Sequence, residues 1–256
     1  MEDLDCNAES EEKLNFRATD FEFRNRFWLI GAIFSLGFAC YSLDQLNACE
    51  ALARLILGQA AGTDSPALDR LERIIFVAGV LLVVMAALIR SWAVAYLHSS
   101  VVHDTNIHSD RLVADGPYRY LRNPLYFGNA LLALGMGLLA SRIGYVVIVA
   151  GMILFNYRLI LREEAGLFAA GAESYRQYFA AVPRLFPSPW PRVPAGRGIP
   201  NWPDGFAGES FIWGFAGGMV AFAATERLSY FWIVTSVGFA IYFFQSYRRT
   251  RRKGQG

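Results

Sequence analysis

The chain has 256 residues, of which 54% are hydrophobic, 15% aromatic and only 18% charged, with a formal net charge of +2 and a mean hydropathy of +0.28. These proportions exclude disorder and argue against an ordinary soluble enzyme. The net charge is too small, and the basic residues too scattered, for a nucleic-acid partner. The 3 cysteines, Cys6, Cys40 and Cys49, form neither a CxxC pair nor a zinc-ligand spacing, so no metal is expected.

Residues 1–25 form an acidic segment, with Glu2, Asp3, Asp5, Glu9, Glu11, Glu12, Asp20 and Glu22, the opposite of a signal peptide's basic start. It reads as a solvated cytosolic tail. Six apolar segments follow, at 27–46, 74–96, 125–139, 144–161, 211–225 and 229–245. They predict an all-α, multi-pass integral membrane bundle of about six transmembrane helices, the third and fifth short for a bilayer that requires roughly 20 helical residues. Arg90, near the end of the second, is read as snorkelling to the headgroups. All the Lys and Arg residues except Arg54, Arg70, Arg73, Arg142, Arg227 and the intra-span Arg90 fall on one side if the N-terminus is inside. The positive-inside rule then places both termini, and the loops joining spans two to three and four to five, in the cytosol. A bacterial inner membrane is favoured over the endoplasmic reticulum.

The chemistry-bearing residues concentrate in those inner loops. The run from Asp110 to Tyr126 packs aromatic, basic and turn residues against the start of the third span. Gly116-Pro117 marks a turn, and Pro124 suits a first helical turn, where its missing N–H costs nothing. The helix N-terminal amides with Arg119 or Arg122 could hold an anionic group; an interfacial belt of aromatic and basic residues is the bland alternative. At the end of the fourth span, Asn156 and Glu163 share a helical stripe, with Arg158 and Arg162 on a neighbouring one. Carboxylate and guanidinium side by side are what a zwitterionic amino-acid moiety requires. Alternatively, Glu163 and Glu164 are solvated charges paired with Arg162.

Residues 174–183 predict a short amphipathic helix on the membrane surface. Pro183, Pro187, Pro189, Pro191, Pro194, Pro200 and Pro203, most of the chain's 10 prolines, predict a semi-rigid linker over 188–204. It separates a core from a C-terminal hairpin over 205–256. Gly214 and Gly218 in that hairpin have GxxxG spacing, which suits a homodimer or intrachain helix packing. His98, His103 and His108 lie on different helical faces, so a shared metal is not expected.

The run Leu112-Val-Ala-Asp-Gly-Pro-Tyr-Arg-Tyr-Leu-Arg-Asn-Pro-Leu-Tyr-Phe-Gly128, then Arg162-Glu-Glu164, Tyr175-Arg-Gln-Tyr178 and Val182-Pro-Arg184, resembles the isoprenylcysteine carboxyl methyltransferase and phospholipid N-methyltransferase superfamily. The likeness covers about residues 98–187, the expected methyltransferase core, preceded by two spans over 26–97. It implies a helical membrane enzyme that binds S-adenosylmethionine on the cytosolic side and methylates a lipid-like or small hydrophobic acceptor. By position, Leu112, Val113, Tyr118, Asn123, Pro124, Leu125, Tyr126 and Glu163 would hold the cofactor. Arg162 and Arg158 would lie near the acceptor or the cofactor's carboxylate, and Glu163 or Glu164 would serve as base for an amine acceptor.

The sequence departs from the family where prenylcysteine enzymes place an arginine and it has Leu159, and where many members have histidine and it has Asn123 and Asp110. Asparagine cannot titrate near neutrality, so imidazole chemistry is excluded at Asn123. A resemblance to membrane sterol and steroid reductases, which use NADPH, is a second reading. A non-catalytic protein on the same scaffold is a third.

Overall fold

The computed structural model describes residues 16–58, 65–97, 114–169 and 173–253. Among these the architecture is all-α, and the sole strand-like pairing is an isolated bridge between Asn47 and Ser141. The helices are α1 (Asp20–Arg24), α2 (Arg26–Ala39), α3 (Ala48–Leu57), α4 (Pro66–Leu97), α5 (Pro124–Gly137), α6 (Arg142–Ala169), α7 (Glu173–Ala181), α8 (Trp202–Gly208), α9 (Ser210–Thr225) and α10 (Leu228–Lys253). Each of the six apolar segments contains a helix, and α7 forms where the short amphipathic helix is predicted.

The chain is an all-α membrane protein. Among the described residues, α4, α6 and α10 are long and apolar enough to cross a bilayer, or four spans if α8 and α9, bent by 66° at their junction, count as one. Helices α2 and α5 have 14 residues each, roughly 21 Å at 1.5 Å per residue against a hydrocarbon core of about 30 Å. The outward faces are apolar, with Leu81, Met85 and Leu88 on α4, Val146 and Ile153 on α6, and Trp232, Ile233 and Phe244 on α10 all exposed. In water such faces would be a liability; against lipid tails they cost nothing.

Helix α4 is the central post. Val80, Val83, Ala86 and Ala87 pack against Leu131, Leu132 and Met136 of α5 and against Ile212, Ala216 and Met219 of α9. Small residues allow the helices to approach: a Cβ on Gly135 would lie 2.5 Å from the Gly79 carbonyl, and one on Gly144 of α6 would lie 2.1 Å from the Gly37 carbonyl of α2. The orphan carbonyls at the end of α5 are satisfied by a connector: Tyr41 donates to Leu139 at 2.9 Å, and Asn47 to Leu138 and Ala140 at 3.3 Å each.

The proline-rich stretch is docked along the inner turn. Ser188 N donates to Tyr120, Arg192 N to Arg119, and Asn201 N to Ala95, with distances of 2.9, 2.8 and 2.8 Å. The amides of Gly196 and Gly198 both donate to the Asp115 carboxylate. The stretch is therefore a strap between core and hairpin rather than a spacer.

The glycines of the GxxxG pair are used within the chain. A Cβ on Gly214 would stand 3.0 Å from Gly238 Cα, and one on Gly218 would stand 2.9 Å from the Phe231 carbonyl. A Cβ on Gly238 itself would lie 2.5 Å from Gly214 Cα and 2.8 Å from the Ser210 carbonyl, and backbone cannot yield as a side-chain tip can. Gly238→Ala should thus lower stability by about 1–3 kcal/mol, seen as a lower melting temperature in detergent. Gly31→Ala, which meets nothing within 4 Å, should show no loss.

Candidate functional site

The site is built where the turn before α5 meets the last turns of α6. Gly116 has φ +58°, and a Cβ there would strike the Tyr96 ring at 2.4 Å; only glycine fits. Pro117 then opens a 3-10 turn over Gly116–Arg119 that buries Tyr118. Pro124 occupies the first turn of α5, as the sequence predicts. Asn123 stands at the N-cap but makes no capping bond. Its amide reaches across to Glu164 Oε1 at 3.3 Å and to the Arg184 carbonyl at 3.2 Å.

The adjacent glutamates of α6 face different partners, as a helical step of about 100° per residue requires. Glu164 is buried and forms ion pairs with Arg122 at 3.3 Å and Arg184 at 2.7 Å. It is neither a solvated charge nor a partner of Arg162. Arg122 also lies 4.2 Å over the Phe179 ring, and its amide donates to Pro183 at 2.9 Å. Burial lowers the Arg122 guanidinium's pKa from its ordinary value, although the Glu164 carboxylate opposes the shift. Glu164 thereby ties α6, the turn before α5 and the segment after α7 together.

Glu163, half-buried, instead accepts a hydrogen bond from the Tyr126 hydroxyl at 2.7 Å, with the Arg26 guanidinium within electrostatic range. Close by, Tyr178 donates to the Tyr118 carbonyl at 2.9 Å. The Tyr118 hydroxyl is buried and without a hydrogen-bond partner among the described residues, as is Nε of Arg122. Burial pushes the Tyr118, Tyr175 and Tyr178 hydroxyls up, so all are protonated donors at neutral pH.

Arg158 and Arg162 point the other way, to the N-terminal segment. Arg158 donates to the Arg17 carbonyl at 3.2 Å and pairs with Glu22 at 2.8 Å; Arg162 donates to the Ala18 carbonyl at 3.0 Å and pairs with Asp20. Thr19 and Glu22 close a capping box at the start of α1, fixing both acids opposite the arginines. The tail predicted to be solvated thus ends as a clasp on α6. Leu125 is present in the site through its carbonyl, which accepts from Arg90 at 3.2 Å. Leu112, Val113, Asp110 and the three histidines lie outside the described residues.

The sequence reading missed the group behind the site. Arg90 does not snorkel: it is buried and forms a two-pronged pair with Glu209, Nε to Oε2 at 2.7 Å and Nη2 to Oε1 at 3.0 Å. Its remaining donor atom bonds Asn129 at 2.6 Å. Asn129 reaches Asn156, and Asn156 the Tyr126 carbonyl, each at 3.4 Å. The signal was an isolated cation in one apolar stretch and an isolated anion at the edge of another, since each must find a partner at membrane depth.

Comparison with known proteins finds a family likeness over the same part of the chain. Residues 74–169, from early α4 to the end of α6, match the phospholipid methyltransferase family model. The likeness of this segment is to membrane methyltransferases, consistent with the superfamily that includes the isoprenylcysteine carboxyl methyltransferases. The chain is also similar to the cobalt-zinc-cadmium resistance protein CzcN of Cupriavidus metallidurans, 27% identical over 48% of this chain and 52% of that protein. It is 29% identical to the nickel-cobalt-cadmium resistance protein NccN of Alcaligenes xylosoxydans xylosoxydans, over 43% of this chain and 48% of that one. The chain thus spans about half the length of these curated relatives, and no solved structure matches it. Tyr175, Tyr178 and Arg184 lie beyond the matched segment yet pack on it.

Two outcomes follow. Glu209→Ala should leave Arg90 buried without its counter-ion and cost about 3–5 kcal/mol, whereas the Arg90→Met, Glu209→Met double variant should recover most of that loss, measured as thermal unfolding in detergent. The hydrogen bond from Arg158 holds the Glu22 carboxyl below its ordinary 4.5, against the opposing effect of burial. The clasp's contribution is therefore complete above that value and is lost as pH falls through the depressed one. Protection factors of the amides at residues 18–25, corrected for intrinsic exchange, should fall as pH drops through that depressed value, and Glu22→Gln should remove that acid-dependent step.

Proposed function

We propose that the protein is an integral membrane methyltransferase that takes its methyl group from S-adenosylmethionine and delivers it to an amphiphilic acceptor. The observation that carries this reading is the match of residues 74–169 to the phospholipid methyltransferase family, a segment whose two inner helices are joined by the Tyr126–Glu163 hydrogen bond.

The described residues fit such a cofactor. Its sulfonium and ammonium call for a carboxylate and aromatic faces, supplied by Glu163, Tyr118 and Tyr126. The orphaned Tyr118 hydroxyl is a buried donor awaiting an acceptor. Arg122 offers Nε for a carboxylate. Asn123, Pro124 and Leu125 complete the wall in this reading, with Asn123 spending its amide on Glu164 and Arg184; the family resemblance adds Leu112 and Val113, which lie outside the described residues. When bound, S-adenosylmethionine supplies a methyl group on a cationic sulfur, open to in-line displacement.

The chain's part is to orient, to exclude water and to manage charge. Glu163 neutralises positive charge and accepts the proton an amine acceptor releases; Tyr126 fixes that carboxylate's direction. Glu164, held by Arg122 and Arg184, positions the walls rather than reacting. Because Asp20 and Glu22 occupy Arg162 and Arg158, an acceptor carboxylate must displace the clasp before it meets either arginine. An amine or thiol acceptor has no such competitor. In this reading the site faces the cytosol, the orientation that the distribution of Lys and Arg favours.

The test is labelled-methyl transfer from S-adenosylmethionine into a membrane lipid extract by the detergent-solubilised protein, with the labelled product identified. Glu163→Gln and Tyr126→Phe should each weaken cofactor binding roughly tenfold to a hundredfold, the size of one charged hydrogen bond. Folded protein that S-adenosylmethionine does not stabilise, or that NADPH stabilises instead, would overturn the assignment.

A further inference from the structure

At the end of the bundle away from Tyr126 and Glu163, the ends of α2, α5 and α9 and the starts of α4 and α10 diverge around a cavity of about 960 Å³. This is the upper range of ligand pockets, and far more than helix packing leaves empty. Its walls include Phe38, Phe76, Met136, Phe215, Phe222 and Phe231.

The charged residues of the lining are Glu72, Arg73 and Glu226, with Ser35, Tyr41 and Asn47 as neutral polar neighbours. Arg73 pairs with Glu226 at 3.0 Å, and on neighbouring α3 Arg54 pairs with Glu50 at 2.5 Å. These pairs consume the local cations. Glu72 is left half-buried, within range of the like charges of Glu50 and Asp69 and, more weakly, of the Arg54 guanidinium, and makes no hydrogen bond or ion pair among the described residues. A largely apolar chamber with one carboxylate that has no hydrogen bond or ion pair is complementary to a cation carried on hydrocarbon.

We propose that this cavity binds one membrane lipid with an ammonium headgroup, its chains among the phenylalanines and its ammonium at Glu72. Glu72 and Arg90 are separated by roughly 27 Å of α4 at about 1.5 Å per residue, so this lipid is not the methyl acceptor. The site does not depend on the methyltransferase reading.

Native mass spectrometry of the full chain released from nanodiscs of equal phosphatidylethanolamine and phosphatidylglycerol tests the assignment. One phosphatidylethanolamine should be retained in preference. Glu72→Gln should reduce that preference roughly tenfold, as loss of one charged contact does. Ala223→Trp, which fills the chamber from α9 without changing charge, should reduce retention of both lipids at an unchanged melting temperature. Equal retention of the two lipids, preference for phosphatidylglycerol, a preference that survives Glu72→Gln, or retention indifferent to Ala223→Trp would each overturn it.

Discussion

The buried pair of Arg90 and Glu209 is the constraint on which the arrangement of helices depends. Glu209 is wholly inaccessible, and a lone carboxylate or guanidinium at that depth would cost several kcal/mol at least. The pair is tolerable because both guanidinium edges and the remaining donor atom are used, on Glu209, Asn129 and the Leu125 carbonyl. Full satisfaction fixes three elements at once. Glu209 lies at the 66° junction between α8 and α9, so the C-terminal helices are bound to α4 by charge as well as by Ile212, Ala216 and Met219. The C-terminal hairpin is consequently part of the core, not an appendage beyond a linker.

The same pair determines where the site's side chains stand. Arg90 holds the first turn of α5 by a carbonyl, Asn129 passes the contact to Asn156 on α6, and Asn156 returns it to the Tyr126 carbonyl. Tyr126 thus has its backbone tied from behind while its hydroxyl reaches forward to Glu163. On the other side Glu164 is clamped by Arg122 and Arg184. One residue of the Glu-Glu step anchors the walls, and the other accepts from a single hydroxyl.

The helices were legible because hydrophobic segments and their punctuation are local properties: the Gly116-Pro117 turn, Pro124 at a first helical turn and the amphipathic stretch at α7 all follow from single-residue chemistry. Partners are not local. Helical spacing correctly put Arg158 and Arg162 on one side of α6, but it could not say that Asp20 and Glu22, far back in the sequence, would meet them. Composition likewise marked 188–204 as stiff and left open that its amides would be spent on Tyr120, Arg119 and Asp115. The GxxxG pair was recognisable as a close-packing surface, and only the fold reveals that Gly238 and Phe231 of the same chain fill it.

That division bears on the chemistry of the site. Family position alone gives Arg158 and Arg162 a place near the acceptor, as though α6 presented one zwitterion-binding face. In three dimensions α6 has two: Glu163 and Glu164 look toward α5 and α7, while the arginines look toward α1. The capping box at Thr19 and Glu22 makes the second face a folded contact instead of a chance encounter of opposite charges, since Glu22 serves the helix start and the arginine together. The Tyr126–Glu163 contact and the N-terminal clasp therefore stand on opposite sides of one helix.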